Sequence, residues 1–260
     1  MKNNHERYDV AFSLGAACAC SVALRRAGLQ FASFPLDWMA GGTLAERAAL
    51  VASRFDGWLE KDDFVYKGPN PLNGLGMFWN RRTGLNHLHD FADGAIENSY
   101  AAVREKYRRR ETRLCSLCDA AHRILCVYVS RPVGPKVSDE ELCRSRRLLA
   151  DAFPAAKVEI VHFSSDPERS FSDRRFTVID EGAFRFEFDY NDPKRDVNVN
   201  AVARALVEEG FTAKDHRTAE EKRAYELAQK MKKYGASTKT GVFVAKLKRR
   251  IRRLFGIPRA

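Results

Sequence analysis

Long hydrophobic runs and cysteine are both scarce in this sequence of 260 residues. No apolar run reaches the roughly 18 residues that a membrane span requires, so no transmembrane helix is predicted. Six cysteines are too few for a disulfide framework, which favours a reducing, cytoplasmic setting. Hydrophobic residues nevertheless make up 45% of the chain, which excludes global disorder. The length fits one large α/β domain, or such a domain with a tail.

Basic residues are concentrated at the C-terminus. The net charge is +11, but residues 239–260 contain eight basic residues and no acidic one, which leaves +3 for residues 1–238. A nucleic-acid-binding domain more often has a basic face across its body, so nucleic acid is not the expected partner. In residues 237–260 the apolar side chains share one helical face and the basic side chains occupy the others, a pattern typical of an amphipathic helix.

We predict that this tail binds an anionic membrane surface, because basic residues attract anionic lipids while apolar residues enter the interface. Docking on a partner protein and binding to nucleic acid are the alternatives. The protein is accordingly expected in the cytoplasm, peripheral on the inner face of the membrane. The predicted membrane-binding residues are Phe243, Lys246, Leu247, Lys248, Arg249, Arg250, Ile251, Arg252, Arg253 and Leu254.

Strand-like and helix-like segments alternate along the remainder of the chain. This alternation predicts an α/β fold of three layers, a mainly parallel sheet with helices on both faces, plus the C-terminal amphipathic helix. Residues 59–87 are predicted to form a long loop that lines a site. We expect a catalytic α/β domain over 1–215, a charged helix over 216–236 and the tail over 237–260. Strands are predicted at 8–14, 124–130, 158–163, 176–180 and 184–190, and helices at 18–27, 43–54, 95–118, 138–152 and 196–210.

The segment from Ser13 to Cys18 is typical of a strand end, a tight turn and a helix start. A side chain at that helix N-terminus lies at the carboxyl edge of the sheet, where α/β proteins place ligands. The helix dipole and free N–H groups are expected to lower the pKa of the Cys18 thiol and to stabilise an oxyanion. Gly15 would permit close backbone approach. Cys18 is therefore a candidate nucleophile, and the alternative is a buried structural cysteine.

A nucleophilic thiol needs a base, and two histidines stand close together at His87 and His89. Either could take the thiol proton while a carboxylate orients its ring. Asp37, Asp90 and Asp189 are candidates for that carboxylate. The spacing of the two histidines also suits half of a metal site, but no third ligand is evident and no metal is predicted.

A short motif near the N-terminus resembles a known family. The strings S-L-G-A-A-C at 13–18, L-R-R-A-G-L at 24–29 and P-L-D-W at 35–38 resemble the signature of a bacterial family described as papain-like cysteine peptidases, a domain of unknown function. Leu36 stands where that family usually has phenylalanine. The later His89-Asp90-Phe91 resembles a downstream segment of the same family.

The resemblance implies a Cys-His enzyme in which Cys18 is the nucleophile and His89 the general base. Papain-like domains place the cysteine helix before an antiparallel barrel, whereas the pattern of this chain predicts an α/β sheet. The predicted catalytic residues are Cys18, His89 and Asp37, and the predicted substrate-binding residues are Ser13, Gly15, Trp38, His87 and Asp90.

The predicted function is a cysteine hydrolase that acts on a peptide or glycan and needs no cofactor. One alternative is an acyltransferase in capsule or surface-polysaccharide biosynthesis that uses coenzyme A, because some proteins of that kind carry a similar glycine-to-cysteine turn. Another is a non-catalytic sugar- or nucleotide-binding module in which Cys18 is structural. The motif does not distinguish the hydrolase from the acyltransferase, because both reactions use a thiolate, a histidine and an oxyanion site.

Overall fold

The computed structural model describes residues 6–132 and 134–234. The chain divides into two units, residues 1–215 and residues 216–260. The predicted membrane-binding tail lies outside the described residues. Among the helices that are described, none has the length and apolar character needed to cross a bilayer.

Nine strands in two sheets and five α-helices build the first unit over the described ranges, together with a two-stranded ladder of Asn191–Asp192 and Asp196–Val197. The strands are β1 (Val10–Ser13), β2 (Met39–Gly41), β3 (Phe64–Pro69), β4 (Gly76–Asn80), β5 (Leu85–Phe91), β6 (Arg123–Val129), β7 (Lys157–Ser165), β8 (Arg175–Asp180) and β9 (Ala183–Phe188). The helices are α1 (Cys18–Arg26), α2 (Leu44–Ala52), α3 (Tyr100–Asp119), α4 (Asp139–Ala152) and α5 (Val199–Glu209). In the second unit, α6 (Ala219–Tyr234) begins after a capping box in which Thr218 and Glu221 bond each other's backbone N–H groups.

The central sheet has five strands in the order β1-β6-β7-β9-β8. Strands β1, β6, β7 and β9 run parallel to their neighbours, and β8 is an antiparallel edge strand. A hairpin turn at Glu181-Gly182 joins β8 to β9, and Gly182 has the positive φ of 74° that such a turn favours. The carboxyl ends of the four parallel strands therefore share one edge of the sheet.

Both faces of this sheet are covered by helices. Because side chains alternate along a strand, Phe12 of β1 packs into the same core as Leu142 of α4, on the face that α2, α3 and α4 cover. Val127 of β6 faces the opposite core with Leu24 of α1 and Leu206 of α5. The predicted three-layer α/β fold is thus confirmed.

Residues 59–87 are not the long loop that the sequence predicted. They contribute β3, β4 and part of β5 to a second, antiparallel sheet in the order β2-β5-β4-β3. The glycine and asparagine residues are concentrated in two short turns, where Gly74 and Gly84 have φ values of 74° and 69°. Between those turns the inward positions carry apolar and aromatic side chains such as Phe78, which is 3% exposed. The prediction failed because the glycine and asparagine residues were interpreted as evidence for a loop over the whole segment, whereas they form only the turns between short strands.

Several helix boundaries follow their capping residues. Thr43 forms a capping box with Glu46 at the start of α2, close to the predicted helix start at 43, and Ser138 caps α4. Helix α5 begins three residues later than expected, because Asn198 rather than Asp196 caps it. Residues 35–38, outside the predicted helices, form a short 3₁₀ helix that begins at the proline.

Candidate functional site

The turn between β1 and α1 is held by close packing around Gly15. The Gly15 N–H donates to Ser13 Oγ at 3.1 Å, and the Ser13 side chain is 1% exposed. A Cβ added at Gly15 would lie 2.2 Å from the Cβ of Cys20, a distance that packed carbon atoms cannot adopt. The Cys20 thiol in turn donates to the carbonyl oxygen of Val127 in β6. Glycine is therefore required at this position by the helix that follows, and Ser13 has a structural hydrogen bond.

Cys18 is the first residue of α1 and its side chain is half-buried. Burial raises the pKa of the Cys18 thiol above its ordinary value, because the thiolate loses hydration and gains only a backbone hydrogen bond. The expectation that the helix N-terminus lowers this pKa is therefore wrong. The described residues include no hydrogen bond from the Cys18 thiol to a histidine.

Trp38 and His89 lie beside the same turn. The Ser21 hydroxyl is 3.1 Å from the carbonyl oxygen of Cys18 and 3.0 Å from that of Asp37, which holds α1 against the residue before Trp38. The Trp38 ring packs edge-on against the His89 ring, with centroids 6.4 Å apart. His89 is exposed, and successive contacts thus link the Cys18 carbonyl oxygen, the Asp37–Trp38 segment and the His89 ring.

Asn73 contacts the His89 ring and was missed by the sequence reasoning. Its side-chain oxygen accepts from the Leu75 N–H at 3.0 Å, so its NH₂ group faces His89 Nδ1 at 3.2 Å. An NH₂ group only donates, so Nδ1 accepts and the neutral ring carries its proton on Nε2. The Asn73-Gly74 turn was visible in the sequence, but its contact with β5 depends on the pairing of the strands.

Asp37 is fully buried and contacts groups other than histidine. Its carboxylate accepts hydrogen bonds from Arg25 Nη2 at 2.8 Å, from Gln30 Nε2 and from the Phe34 N–H at 3.0 Å. Burial raises the pKa of Asp37 above its usual range, opposed by the charge of Arg25 and these hydrogen bonds. In this arrangement Asp37 ties the loop after α1 to the 3₁₀ helix at 35–38, rather than orienting a catalytic ring.

His87 and Asp90 form a second, enclosed group. His87 Nδ1 lies 3.0 Å from Asp90 Oδ2, and Asp90 also accepts from Lys106 Nζ and from the Tyr107 hydroxyl. Burial alone would raise the pKa of Asp90, but the bond from His87 and the charge of Lys106 lower it below its usual range. His87 is 0% exposed, and its Nε2 is buried without a hydrogen-bond partner.

The rings around this imidazole are those of Trp58, Phe64, Phe91 and Tyr107, with centroids 5.0 to 6.0 Å from its own. This placement gives His87 and Asp90 a structural role, and direct substrate contact by either remains a prediction. Asp189 lies in a turn after β9, where it accepts a hydrogen bond from the Asn191 N–H. Among the described residues, no hydrogen bond joins Asp189 to His87 or His89.

A cleft of about 440 Å³ opens at the carboxyl ends of β1 and β6. Its walls include Ala16 from the β1–α1 turn, Gly42 and Gly84 from the small sheet, and Tyr128 and Ser130 from β6 and the residue after it. The last two were missed by the sequence reasoning. The available signal was their position at the end of a predicted strand, at the edge where α/β proteins bind ligands.

Comparisons with known proteins place the chain in a family. The sequence model of the family described as "Putative papain-like cysteine peptidase (DUF1796)" matches residues 9–142. The chain is also similar to "Uncharacterized protein R408" of Acanthamoeba polyphaga mimivirus, with 22% identity over 135 residues, 44% of this chain and 59% of the relative. The chain thus spans less than two thirds of that relative's length. No solved structure matches the chain. Because the family match covers more than half of the chain, from β1 into α4, this protein belongs to the DUF1796 family.

Proposed function

We propose that this protein hydrolyses an acyl bond with Cys18 as nucleophile and His89 as general base. The observation that carries the proposal is the position of Cys18. It begins α1 at the carboxyl edge of the sheet, within the family match, and its thiol is half-buried. Its carbonyl oxygen and that of Asp37 share the Ser21 hydroxyl, and Trp38, the next residue, packs against the exposed His89 ring. A thiol at a helix N-terminus beside an accessible histidine suits covalent acyl chemistry.

The reaction would proceed in two steps. The Cys18 thiol gives its proton to His89 and attacks the substrate carbonyl, and the resulting imidazolium returns that proton to the leaving amine or alcohol. The acyl group is then a thioester on Cys18. Water, deprotonated by His89, attacks the thioester and releases the carboxylic acid and the free thiol. No cofactor enters this sequence.

The resting state requires activation by substrate. With its pKa raised by burial, the Cys18 thiol is protonated at neutral pH. The hydrogen bond from Asn73 to His89 Nδ1 leaves the proton on Nε2, so His89 accepts a second proton only when Nδ1 can also carry one. We infer that substrate binding draws the thiol and the ring together and releases Asn73, since catalytic hydrogen bonds often tighten only in the complex.

Acylation by p-nitrophenyl acetate tests the proposal. We expect an acetyl group on Cys18, located by peptide mass spectrometry, that is lost in Cys18→Ala and formed about 100-fold more slowly or less in His89→Gln. Cys143 is the matched control, because it is also half-buried and burial likewise raises its pKa. Acetylation of Cys18 no faster than that of Cys143, or unaffected by His89→Gln, would contradict the proposal. Repeating the assay with acetyl-coenzyme A distinguishes a transferase from a hydrolase.

A non-catalytic binding module is the second candidate. It is favoured by the raised pKa of the Cys18 thiol, together with the lack of a hydrogen bond from that thiol to histidine among the described residues. In that case Cys18→Ala and His89→Ala leave ligand binding intact and the acylation assay finds no preferred thiol. The acylation assay therefore distinguishes the two candidates.

A further inference from the structure

The cleft at the ends of β1 and β6 contains polar groups that the proposed chemistry does not use. Ser130 follows β6, is 9% exposed and lies in the cleft wall. Its hydroxyl oxygen is 2.8 Å from Nε2 of His162, a β7 residue that is 1% exposed. The direction of this hydrogen bond decides what the Ser130 hydroxyl can offer to a ligand.

Arg185 sets that direction. Its Nε–H donates to His162 Nδ1 at 3.2 Å, and its other nitrogens bond Asp139 and the Val137 carbonyl oxygen. A guanidinium only donates, so Nδ1 must be unprotonated and the neutral ring carries its proton on Nε2. Burial and the charge of Arg185 lower the pKa of His162 to about 3, which keeps the ring neutral. The imidazole therefore donates to Ser130 Oγ, and the Ser130 O–H remains free to donate into the cleft.

Tyr128 adds a second hydroxyl to the same wall. It is 5% exposed and lines the cleft, and no described residue forms a hydrogen bond with its hydroxyl. Tyr128 and Ser130 are two residues apart, so the geometry of the strand end brings both hydroxyls to one side. Two hydroxyl-bearing residues that are more than nine-tenths buried thus line the cleft.

A buried positive charge lies behind this wall. Arg47 is 0% exposed, and its guanidinium bonds only backbone carbonyl oxygens, those of Leu14, Met39 and Gly41. No carboxylate of the described residues lies within ion-pair distance of it. A Cβ added at Gly42, in the cleft wall, would lie 3.6 Å from Arg47 Nε. An uncompensated buried cation favours negative charge nearby, because the low dielectric strengthens its field.

We propose that this cleft binds an oxyanion group, a carboxylate or a phosphate of a small molecule, through hydrogen bonds from Ser130 and Tyr128 and the field of Arg47. Glu46 stands at the rim, exposed, with Oε2 accepting from the Thr43 N–H and hydroxyl. Its negative charge weakens anion binding without occupying the donors. The site does not depend on Cys18 being a nucleophile.

Amide chemical shifts of the full-length protein, followed during titration with inorganic phosphate and separately with sodium acetate against a sodium chloride baseline, test the proposal. We expect saturable shifts at Gly42, Gly84 and Ser130, and none at Gly210, which caps α5. Shifts with phosphate alone identify a phosphate site, and shifts with acetate alone a carboxylate site. Failure of both ions to shift the cleft amides would overturn the proposal.

Variants test the individual donors. Tyr128→Phe and Ser130→Ala should each weaken binding of the active ion about tenfold, since a hydrogen bond to a charged group is lost while the shape is kept. Tyr66→Phe and Ser53→Ala, which alter residues outside the cleft, should leave it unchanged. Glu46→Gln, which retains the capping hydrogen bonds, should tighten binding about threefold because a like charge is removed.

Two results would overturn the assignment even if an ion binds. Weaker binding of the ion in Glu46→Gln would mean that Glu46 does not repel the bound ion, which contradicts an anion site at this rim. A ¹⁵N spectrum that finds His162 protonated on Nδ1 would mean that Ser130 donates to the ring and has no proton for a ligand. Unprotonated Nδ1, with the variant effects above, supports the site.

Discussion

Replacing Gly15 by alanine should destabilise the protein by a calculable mechanism. The new methyl group would lie 2.2 Å from Cys20 Cβ and 2.9 Å from Cys20 Sγ. A Cβ atom moves only with its backbone, so relief requires a shift of α1 against β1. Overpacking of this kind costs about 1–3 kcal/mol, and we expect the upper end, about 3 kcal/mol, because the clash involves an atom that no rotamer change can move.

Urea denaturation followed by tryptophan fluorescence measures this cost. With an m-value of about 2–3 kcal/mol/M for a chain of this size, the midpoint should fall by about 1 M. Gly134→Ala is the matched control, because a Cβ there meets its nearest atom, the Arg131 carbonyl oxygen, at an ordinary 3.4 Å. Gly15→Ala/Cys20→Ala should not recover the loss, since alanine keeps the offending Cβ, whereas Gly15→Ala/Cys20→Gly removes it.

A loss of less than about 0.5 kcal/mol in Gly15→Ala, within the range of neutral surface changes, would refute the packing argument. If that stable variant also lost acylation of Cys18, the glycine would instead be required for approach of a substrate, as the sequence alone suggested.

Three further predictions concern pH and the tail. The folded-state pKa of His162 is lowered to about 3. The stability that its neutral form contributes is therefore present above the unfolded pKa of about 6.5 and is lost as pH falls towards 3. His162→Gln, whose amide reproduces both hydrogen bonds, should unfold at the same urea concentration at pH 7 and resist acid better. Asp90→Asn should cost about 3 kcal/mol at pH 7 by removing the buried carboxylate that hydrogen-bonds His87 and forms an ion pair with Lys106. Because the pKa of Asp90 is lowered on folding, this difference should shrink below about pH 4, and a constant gap would contradict the ion-pair account. Deleting residues 239–260 should release the protein from sedimenting anionic vesicles, since each basic residue near such a surface contributes about 1 kcal/mol, and unchanged sedimentation would exclude the predicted membrane helix.

The alternation of strand-like and helix-like segments was sufficient to predict the α/β fold class. Buried strands such as β6 are nearly continuous runs of apolar residues, and capping residues such as Thr43 mark helix starts locally. These signals depend only on residues that are close together in the chain, so they can be recognised in the sequence without knowledge of tertiary contacts. The antiparallel sheet of β2 to β5 was not predicted, because its strands are short and its pairing joins residues such as Met39 and His87 that are far apart in sequence.

The candidate site was predicted as a set of residues but not as an arrangement. Cys18 follows from the motif and from its place at a helix start, which are local properties of the sequence. The residues alone left both His87 and His89 open as the base, and the family resemblance favoured His89. The structure encloses His87 among aromatic rings and leaves His89 exposed beside Trp38. An irregularity in the pairing of β4 with β5 lies between His87 and Phe91, and no local pattern reveals it.

Sequence by itself therefore determined the layers of this protein, most of its helix starts and its family motif, because periodicity, capping and short motifs are encoded in adjacent residues. Tertiary structure alone decided the protonation of the Cys18 thiol and of the His162 ring. Burial raises the pKa of the Cys18 thiol that the helix dipole was expected to lower, and Arg185, from a distant strand, selects the tautomer of His162. Both outcomes depend on which groups exclude water from an ionisable side chain, and that is settled only when remote segments pack together.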